Sequence, residues 1–338
     1  MIVFRVDSNS EVGLGHLMRC LSLADYAVAS GKRVLFITAD SDSSALIEKK
    51  GFKSVCLNSD FRKMEEEIDP LFRILEGNEC EKIIIDSYYV TFEYLNSVNR
   101  RFPVIYVDDV ANFAYPVNEL LNYNIYAPEF DYRKLYDDSG VALPKLNLGT
   151  EYVPLRKEFR DCIKKNSEEI VKNVFVSTGG TDQYHILLNL ARQIKKQNIN
   201  EYVYYFVVGR YNNDKDELTD ISRKYPNIRL FFDPPNMAEL MKSCDLAVSS
   251  GGSTLYELCA VGLPIITFIV ADNQVNLVNG FVKKGLAVYA GDARIERKIE
   301  KTIINEIKKL AKNKINRYKM IDSCKDNFDV IKTSDLFY

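Results

Sequence analysis

Short β-branched and aromatic runs alternate with amphipathic stretches along this chain, and the alternation occurs twice. The first series has strand-like runs at Ile2–Val6, Val34–Thr38, Ser54–Leu57, Lys82–Ile85 and Val104–Val107. Helical patterns at Leu17–Ser30, Ser43–Lys50 and Lys63–Gly77 lie between them. Strands joined through helices pair in parallel, and the helices cover both faces of the sheet. From residue 110 to 160 the pattern loosens, with breaks at Tyr115–Pro116, Ala127–Pro128, Leu143–Pro144 and Val153–Pro154 among many tyrosines and asparagines. This stretch reads as the end of one domain and a linker. The alternation restarts with strands at Asn173–Thr178, Tyr202–Val208, Ile228–Phe232, Leu246–Ser249 and Ile265–Ile269. Helices are expected at Tyr184–Gln197, Asn236–Lys242, Ser253–Val261 and 296–313. The expected fold class is α/β, with two Rossmann-like, doubly wound domains facing across a cleft. The expected divisions are 1–155, 156–315 and a C-terminal, helical segment 316–338 that crosses back to the first domain.

Composition narrows the function classes. With 338 residues the chain can bury two cores, and 46% hydrophobic with 27% charged residues describes a globular protein. A net charge of −2 gives no reason to expect a nucleic-acid partner. The longest apolar stretch, Leu263 to Ala271, is too short for a bilayer, so no integral membrane association is expected. The first residues, with Arg5 and Asp7, do not resemble a signal peptide, and a cytoplasmic location is the expectation. Seven cysteines are scattered without a CxxC pair, which argues against a disulfide framework or a zinc site. Most read as small apolar residues, several on helices facing a core.

Three loops follow strands and precede helices: Gly13-Leu14-Gly15, Gly179-Gly180-Thr181 and Ser249-Ser250-Gly251-Gly252-Ser253-Thr254. Glycine lets the backbone approach an anion, and the N–H groups at a helix start carry partial positive charge. None of the three matches GxxxxGK[ST], which disfavours a P-loop kinase or ATPase. The first also misses GxGxxG, because Met18 stands at the third glycine position, so a dinucleotide oxidoreductase is a poor reading. His16, one of only two histidines, opens the helix after the first loop. In the third loop, Ser253 or Thr254 can cap a helix and offer a hydroxyl to a diphosphate. Glu257, one turn on, can accept hydrogen bonds from vicinal ribose hydroxyls or simply complement the helix dipole.

The stretch Asp7-Ser-Asn-Ser-Glu-Val-Gly-Leu-Gly-His16-Leu-Met-Arg19 resembles the N-terminal motif of the pseudaminic-acid pathway nucleotide-sugar hydrolases, shared with spore-coat polysaccharide proteins. Ile83-Ile-Ile-Asp86-Ser-Tyr88, Val107-Asp108-Asp109, Leu155-Arg156-Lys157-Glu158-Phe159, Gly179-Gly180-Thr181-Asp182 and Asn227-Ile-Arg-Leu-Phe231 resemble that family in the same order, over roughly residues 1–290. The resemblance implies a glycosyltransferase-B fold, similar to the enzyme that adds N-acetylglucosamine to lipid I. It implies an activity that removes UDP from UDP-2,4-diacetamido-2,4,6-trideoxy-β-L-altropyranose, with no cofactor and no metal. His16 would be the catalytic base. Gly13, Leu14 and Gly15 would close over pyrophosphate and sugar, with Asp7 and Arg19 of the same motif beside them. Glu257 would hold the ribose, and backbone groups near Phe231 and Phe232 would read the uracil edge. Gly180, Thr181, Ser253 and Thr254 would line the phosphates, within a Ser250-to-Glu257 region, including Gly252, that holds UDP. Gln274 and Asn276 would touch phosphate or sugar. The tail beyond residue 290 is longer than the resemblance leads one to expect.

The residue types suit the chemistry implied. A glycosidase needs a second carboxyl group to protonate an alkoxide, whereas UDP leaves as a stabilised anion. One histidine, with an ordinary pKa of about 6.5, is then enough to activate water near neutral pH. Asp86 and Tyr88 end a strand at the same rim, where they touch sugar or cap a loop. Asp108-Asp109 reads as a turn or cap rather than a metal site. His185 reads as a surface or structural histidine, and Lys164-Lys165 with Glu168-Glu169 as a solvated helix face. Two alternatives to a UDP-sugar hydrolase remain open: a glycosyltransferase with a UDP-sugar donor, and a non-catalytic nucleotide-sugar binding protein.

Overall fold

The computed structural model describes residues 1–9, 11–160, 162, 169–328 and 332–338, so Lys164, Lys165 and Glu168 lie outside the described residues. The chain divides into two compact units: Met1–Lys157 together with the C-terminal end, and Glu158–Asp329.

The first unit is built on a seven-stranded sheet: β1 (Ile2–Val6), β2 (Val34–Thr38), β3 (Lys53–Cys56), β4 (Lys82–Asp86), β5 (Val104–Val107), β6 (Glu119–Asn122) and β7 (Lys145–Leu148). Its order is β3-β2-β1-β4-β5-β6-β7, and every pairing is parallel. The middle strands are covered on both faces, so they read as unbroken apolar runs. Val3, Ile37, Ile83, Ile85 and Val104 pack with Leu71, Leu75, Leu95 and Val98 in one cluster. Each such side chain contributes roughly 1.5–3 kcal/mol on burial. The strand order reverses between β1 and β4, where Val6 pairs with Asp86.

The linker reading of residues 110–160 is corrected here. That stretch supplies β6 and β7, the last two strands of the sheet. Most of its tyrosines and asparagines are buried rather than loop-exposed: Tyr115, Tyr123, Tyr132, Tyr136, Asn122 and Asn124 all lie inside. They satisfy one another around Asp108. Asp108 accepts from Tyr115 Oη at 3.0 Å and Tyr132 Oη at 2.5 Å, and from the backbone N–H groups of Val110 and Ala111. Asn122 Nδ2 donates to Tyr132 Oη, and Tyr136 Oη to the Tyr115 carbonyl. A polar network this complete can be buried without penalty from orphaned groups. It also gives Asp108 the turn-capping role expected of it.

The second unit carries β8 (Asn173–Ser177), β9 (Val203–Val208), β10 (Ile228–Phe232), β11 (Leu246–Ser250), β12 (Ile265–Ile269) and β13 (Ala287–Asp292). Their order is β10-β9-β8-β11-β12-β13, again all parallel. Here the order reverses between β8 and β11. In open α/β sheets, ligands bind beyond the carboxyl ends of the strands at such a reversal. The C-terminal region is shared between the units: the helix Lys314–Asn327 belongs to the second. The last residues join the first, where Leu336 and Phe337 are buried and Lys82 Nζ donates to the Leu336 carbonyl at 3.0 Å. None of the seven cysteines forms a disulfide among the described residues, and Cys20, Cys244, Cys259 and Cys324 are buried. Among the described residues no helix is long and apolar enough to cross a membrane.

Candidate active site

Residues from three strand ends of the first unit converge at the β1/β4 reversal. The loop after β1 is shaped by Asn9, whose Oδ1 accepts from the N–H groups of Glu11 and Val12. Gly13 takes a φ of +77°, a conformation only glycine adopts freely, and donates to the Asn9 carbonyl. The chain then enters the helix Gly15–Ala29, which places His16 in its first turn.

His16 is 8% exposed. Its Nδ1 is enclosed and faces Asp86 Oδ1 at 3.4 Å, without the geometry of a hydrogen bond. Nε2 is not enclosed and has no hydrogen-bond partner among the described residues. The Tyr88 ring meets the imidazole edge-on, with centroids 4.6 Å apart. Burial lowers the pKa of His16 below that of an ordinary imidazole; Asp86 opposes this and Arg19 adds to it. The ring is therefore neutral at pH 7. A neutral imidazole with one nitrogen toward a carboxylate and the other unblocked is the arrangement of a general base.

Asp86, at the end of β4, is itself buried. Burial raises its pKa, but Arg19 and His16 outweigh that and hold it below the usual carboxylate value. Arg19 Nε and NH2 grip both Asp86 oxygens at 2.6 Å. Arg19 NH1 reaches Asp109 at 2.8 Å and Tyr123 Oη at 3.4 Å. Asp109 also accepts from Tyr88 Oη at 2.7 Å and Asn124 Nδ2 at 2.7 Å.

Two expectations for this unit change. Arg19 is not a free substrate ligand, because its guanidinium is already engaged by two carboxylates. Asp7 is 3% exposed and turned into the fold. Its Oδ1 accepts from the Ala39 N–H at 2.8 Å and its Oδ2 lies 2.7 Å from Arg5 NH1. Arg5, in turn, is clamped by Glu67 at 2.6 and 2.7 Å in the interior. Tyr88, by contrast, is 49% exposed and stands beside His16.

In the second unit, the loops after β8 and β11 flank the reversal. Gly179 has a φ of +87°. Asp182 accepts from the Ile186 and Leu187 N–H groups at 2.9 Å, so its carboxylate caps the helix Ile186–Gln197. A glycine outside the expected set proves necessary. At Gly209, a Cβ would lie 2.3 Å from the Gly179 carbonyl oxygen and 2.5 Å from that of Gly180. The loop after β9 thus presses directly on the glycine loop, and Tyr211 N–H donates to the Gly180 carbonyl. At Gly251, a Cβ would meet Val278 Cγ2 at 2.3 Å. Gly15, Gly180 and Gly252 differ: a Cβ at any of them would have nothing within 4 Å, and none has a positive φ. The fold does not demand glycine at these three positions.

Ser253 precedes the helix Thr254–Val261 but makes no side-chain cap bond, contrary to expectation. The Gly252 and Ser253 carbonyls instead take the Leu255 and Tyr256 N–H groups, and the Ser253 side chain points outward. Thr254 and Glu257 stand in the first turn of that helix and Thr181 in the loop after β8, with Ser250 buried at the end of β11. Phe231 stacks on Tyr205 with centroids 5.3 Å apart, and Phe232 is about half exposed at the end of β10. Gln274 uses its Oε1 to accept from the Val270 N–H at 3.0 Å, a structural role, whereas Asn276 is exposed. His185 is exposed at the surface, with Nδ1 2.7 Å from Asp214. Among the described residues no group of three or more His, Cys, Asp or Glu is placed to hold a metal ion.

Comparison with known proteins agrees with the motif resemblance. Residues 173–333 match the model of the glycosyltransferase family 28 C-terminal domain. A UDP-2,4-diacetamido-2,4,6-trideoxy-β-L-altropyranose hydrolase of Campylobacter jejuni is 27% identical over 290 residues, covering 85% of this chain and 98% of that protein. An uncharacterized protein of Methanocaldococcus jannaschii is 26% identical over 297 residues, covering 84% of this chain. The match spans only 58% of that archaeal protein's length. Among solved structures, Acinetobacter baumannii MurG is similar with a TM-score of 0.67 at 14% identity, covering 99% of each chain. The fold is that of two parallel-sheet α/β units whose structural neighbours are glycosyltransferases of the B type.

Proposed function

We propose that this chain hydrolyses a UDP-activated diacetamido-trideoxy sugar, of the UDP-2,4-diacetamido-2,4,6-trideoxy-β-L-altrose kind, to free sugar and UDP. The single observation that carries the reading is His16: neutral, backed by Asp86 and open at Nε2. Nε2 takes a proton from water as the water oxygen bonds to the anomeric carbon. The C1–O bond breaks with inversion, and UDP departs with the electron pair. Because UDP is a good leaving group, no second carboxyl acid is required. Base catalysis of this kind supplies roughly 10²–10⁴-fold in rate. The rest comes from fixing the water and from N–H groups facing the departing charge.

The second unit takes the nucleotide in this proposal. Gly180, Thr181, Ser250, Gly252, Ser253 and Thr254 face the phosphates, and Glu257 holds the ribose hydroxyls. Backbone groups near Phe231 and the half-exposed Phe232 meet the uracil. In the first unit, Gly13, Leu14, Gly15 and Tyr88 bound the sugar. The open surroundings of Gly15, Gly180 and Gly252 support these assignments, as does the name of the Campylobacter jejuni relative.

A second reading has its own support. The family 28 match and the solved neighbours favour a transferase that passes the sugar from UDP to an acceptor. Purified protein given the UDP-sugar alone in ¹⁸O-water separates the readings. Hydrolysis gives UDP and free sugar with the label in the sugar. Label in UDP refutes attack at C1, and no turnover without an acceptor favours the transferase.

A further inference from the structure

Arg19 is the hub of the polar cluster, not one of its ends. Its guanidinium grips Asp86 through two nitrogens at 2.6 Å and Asp109 through the third at 2.8 Å. Such a fork fixes the plane of a carboxylate in a way that a lysine ammonium does not. Asp86 held in that plane presents Oδ1 to His16 Nδ1. Asp109 is fixed from its other side by Tyr88 and Asn124. One continuous set of contacts therefore runs from Tyr88 through Asp109, Arg19 and Asp86 to the imidazole, and the Tyr88 ring closes it by resting against His16.

We infer that Arg19, braced by Asp109, is a positioning residue that orients Asp86 behind His16 and balances the charge around the imidazole. The kinetic part of this inference rests on the hydrolase reading; the structural part does not. The groups bearing on the ring are Asp86 at the end of β4, Asp109 after β5, Asp7 after β1, and Arg19 on its own helix. Tyr88 borders the ring, and Cys20 and Tyr123 border Asp86 and Arg19. Asp7 is paired with Arg5. Asp86 and Asp109 then carry two negative charges against the one positive charge of Arg19. Removing Arg19 leaves both carboxylates uncompensated beside the imidazole and favours its protonated form. Removing the charge of Asp109 does the reverse.

The chain's two histidines make this directly measurable. A proton NMR titration resolves two imidazole signals, and His185→Gln assigns them. In Arg19→Gln the His16 midpoint is expected to rise by about one pH unit or more. In Asp109→Asn, which keeps the side chain's shape, it falls. With UDP-sugar, kcat/KM of Arg19→Gln at pH 7 drops about 10-fold or more and partly recovers toward pH 9, as the imidazole loses its proton. Arg19→Lys keeps the charge but loses the fork, so its midpoint stays near the wild type while kcat falls. Shifted midpoints without any turnover of UDP-sugar sustain the positioning role and overturn the hydrolase reading instead. A midpoint unmoved in both Arg19→Gln and Asp109→Asn overturns the positioning role. So does loss of activity in Arg19→Gln that is equal at every pH.

Discussion

Gly209→Ala is the substitution for which the structure predicts most. The added Cβ would stand 2.3 Å from the Gly179 carbonyl oxygen, 2.5 Å from that of Gly180 and 2.7 Å from the Gly180 carbonyl carbon. All three are backbone atoms, so no side chain can swing away, and relief requires the two loops to part by about 1 Å. Overpacking of this kind costs roughly 1–3 kcal/mol. Parting the loops also strains the Tyr211 N–H to Gly180 carbonyl hydrogen bond, which is worth about 0.5–1.5 kcal/mol. A loss of about 2–4 kcal/mol is therefore expected, read as a fall in thermal midpoint. In the proposed site the same displacement moves the Gly180 N–H away from the phosphate. A charged hydrogen bond of about 1.5–3 kcal/mol is at risk, so UDP affinity measured by calorimetry drops about 10- to 100-fold. Gly180→Ala is the matched control, because its Cβ meets nothing within 4 Å. It leaves the thermal midpoint near the wild type and weakens UDP alone. A Gly209→Ala protein as stable as wild type, with unchanged UDP affinity, refutes the close-approach argument.

Further outcomes follow from the first unit. Glu67→Gln removes one of the two buried carboxylates that face the interior Arg5, leaving Asp7. Breaking a buried pair in this way costs about 3–5 kcal/mol, a fall in thermal midpoint on the order of 10 °C. A shift below 2 °C, roughly 1 kcal/mol, contradicts it. Gly15→Ala adds a methyl where nothing lies within 4 Å, and alanine is the better helix former by about 1 kcal/mol. The variant therefore folds at least as stably as wild type, while turnover of UDP-sugar falls about 10-fold or more if substrate passes there. Unchanged turnover removes Gly15 from the site. The pH profile has a defined sign. His16 is held below its ordinary pKa of about 6.5, so the unfolded chain takes up the proton first as pH falls. The stability contributed by the neutral ring is complete above that value and is lost as pH drops toward the folded-state pKa. The kcat/KM profile declines on the acid side, with its midpoint below the ordinary imidazole value. A decline beginning above pH 7 contradicts a neutral His16.

The sequence disclosed the strands whose core is aliphatic and the loops whose turns need glycine. It concealed β6 and β7, because their surroundings are packed with Tyr115, Tyr132, Asn122 and Asn124, residues that ordinarily signal loops. Asp108, buried at the centre, anchors that polar packing, and its hydroxyl partners come from 7 and 24 residues away. β13 escaped notice for a different reason: Ala287, Ala290 and Gly291 give it little β-branched character. At the candidate site, the place of His16 at a helix start was legible from its loop. Its backing was not, since Arg19 meets Asp86 across 67 residues and Asp109 across 90. Polar residues near a glycine loop read alike as ligands, whether they face substrate, as proposed for Tyr88, or turn inward, as Asp7 does. Gly209 belongs to no motif; a contact with another loop's backbone sets its identity. The sequence pattern carries the direction of local chain but not the pairing of distant side chains.

In the proposed mechanism His16 Nε2 activates the attacking water. Single-turnover kinetics of His16→Gln with the UDP-sugar, beside calorimetric binding of UDP, test it most directly. The expected rate is lower by roughly 10²–10⁴-fold, with UDP affinity unchanged. A rate within a few-fold of the wild type, at equal affinity, would contradict it.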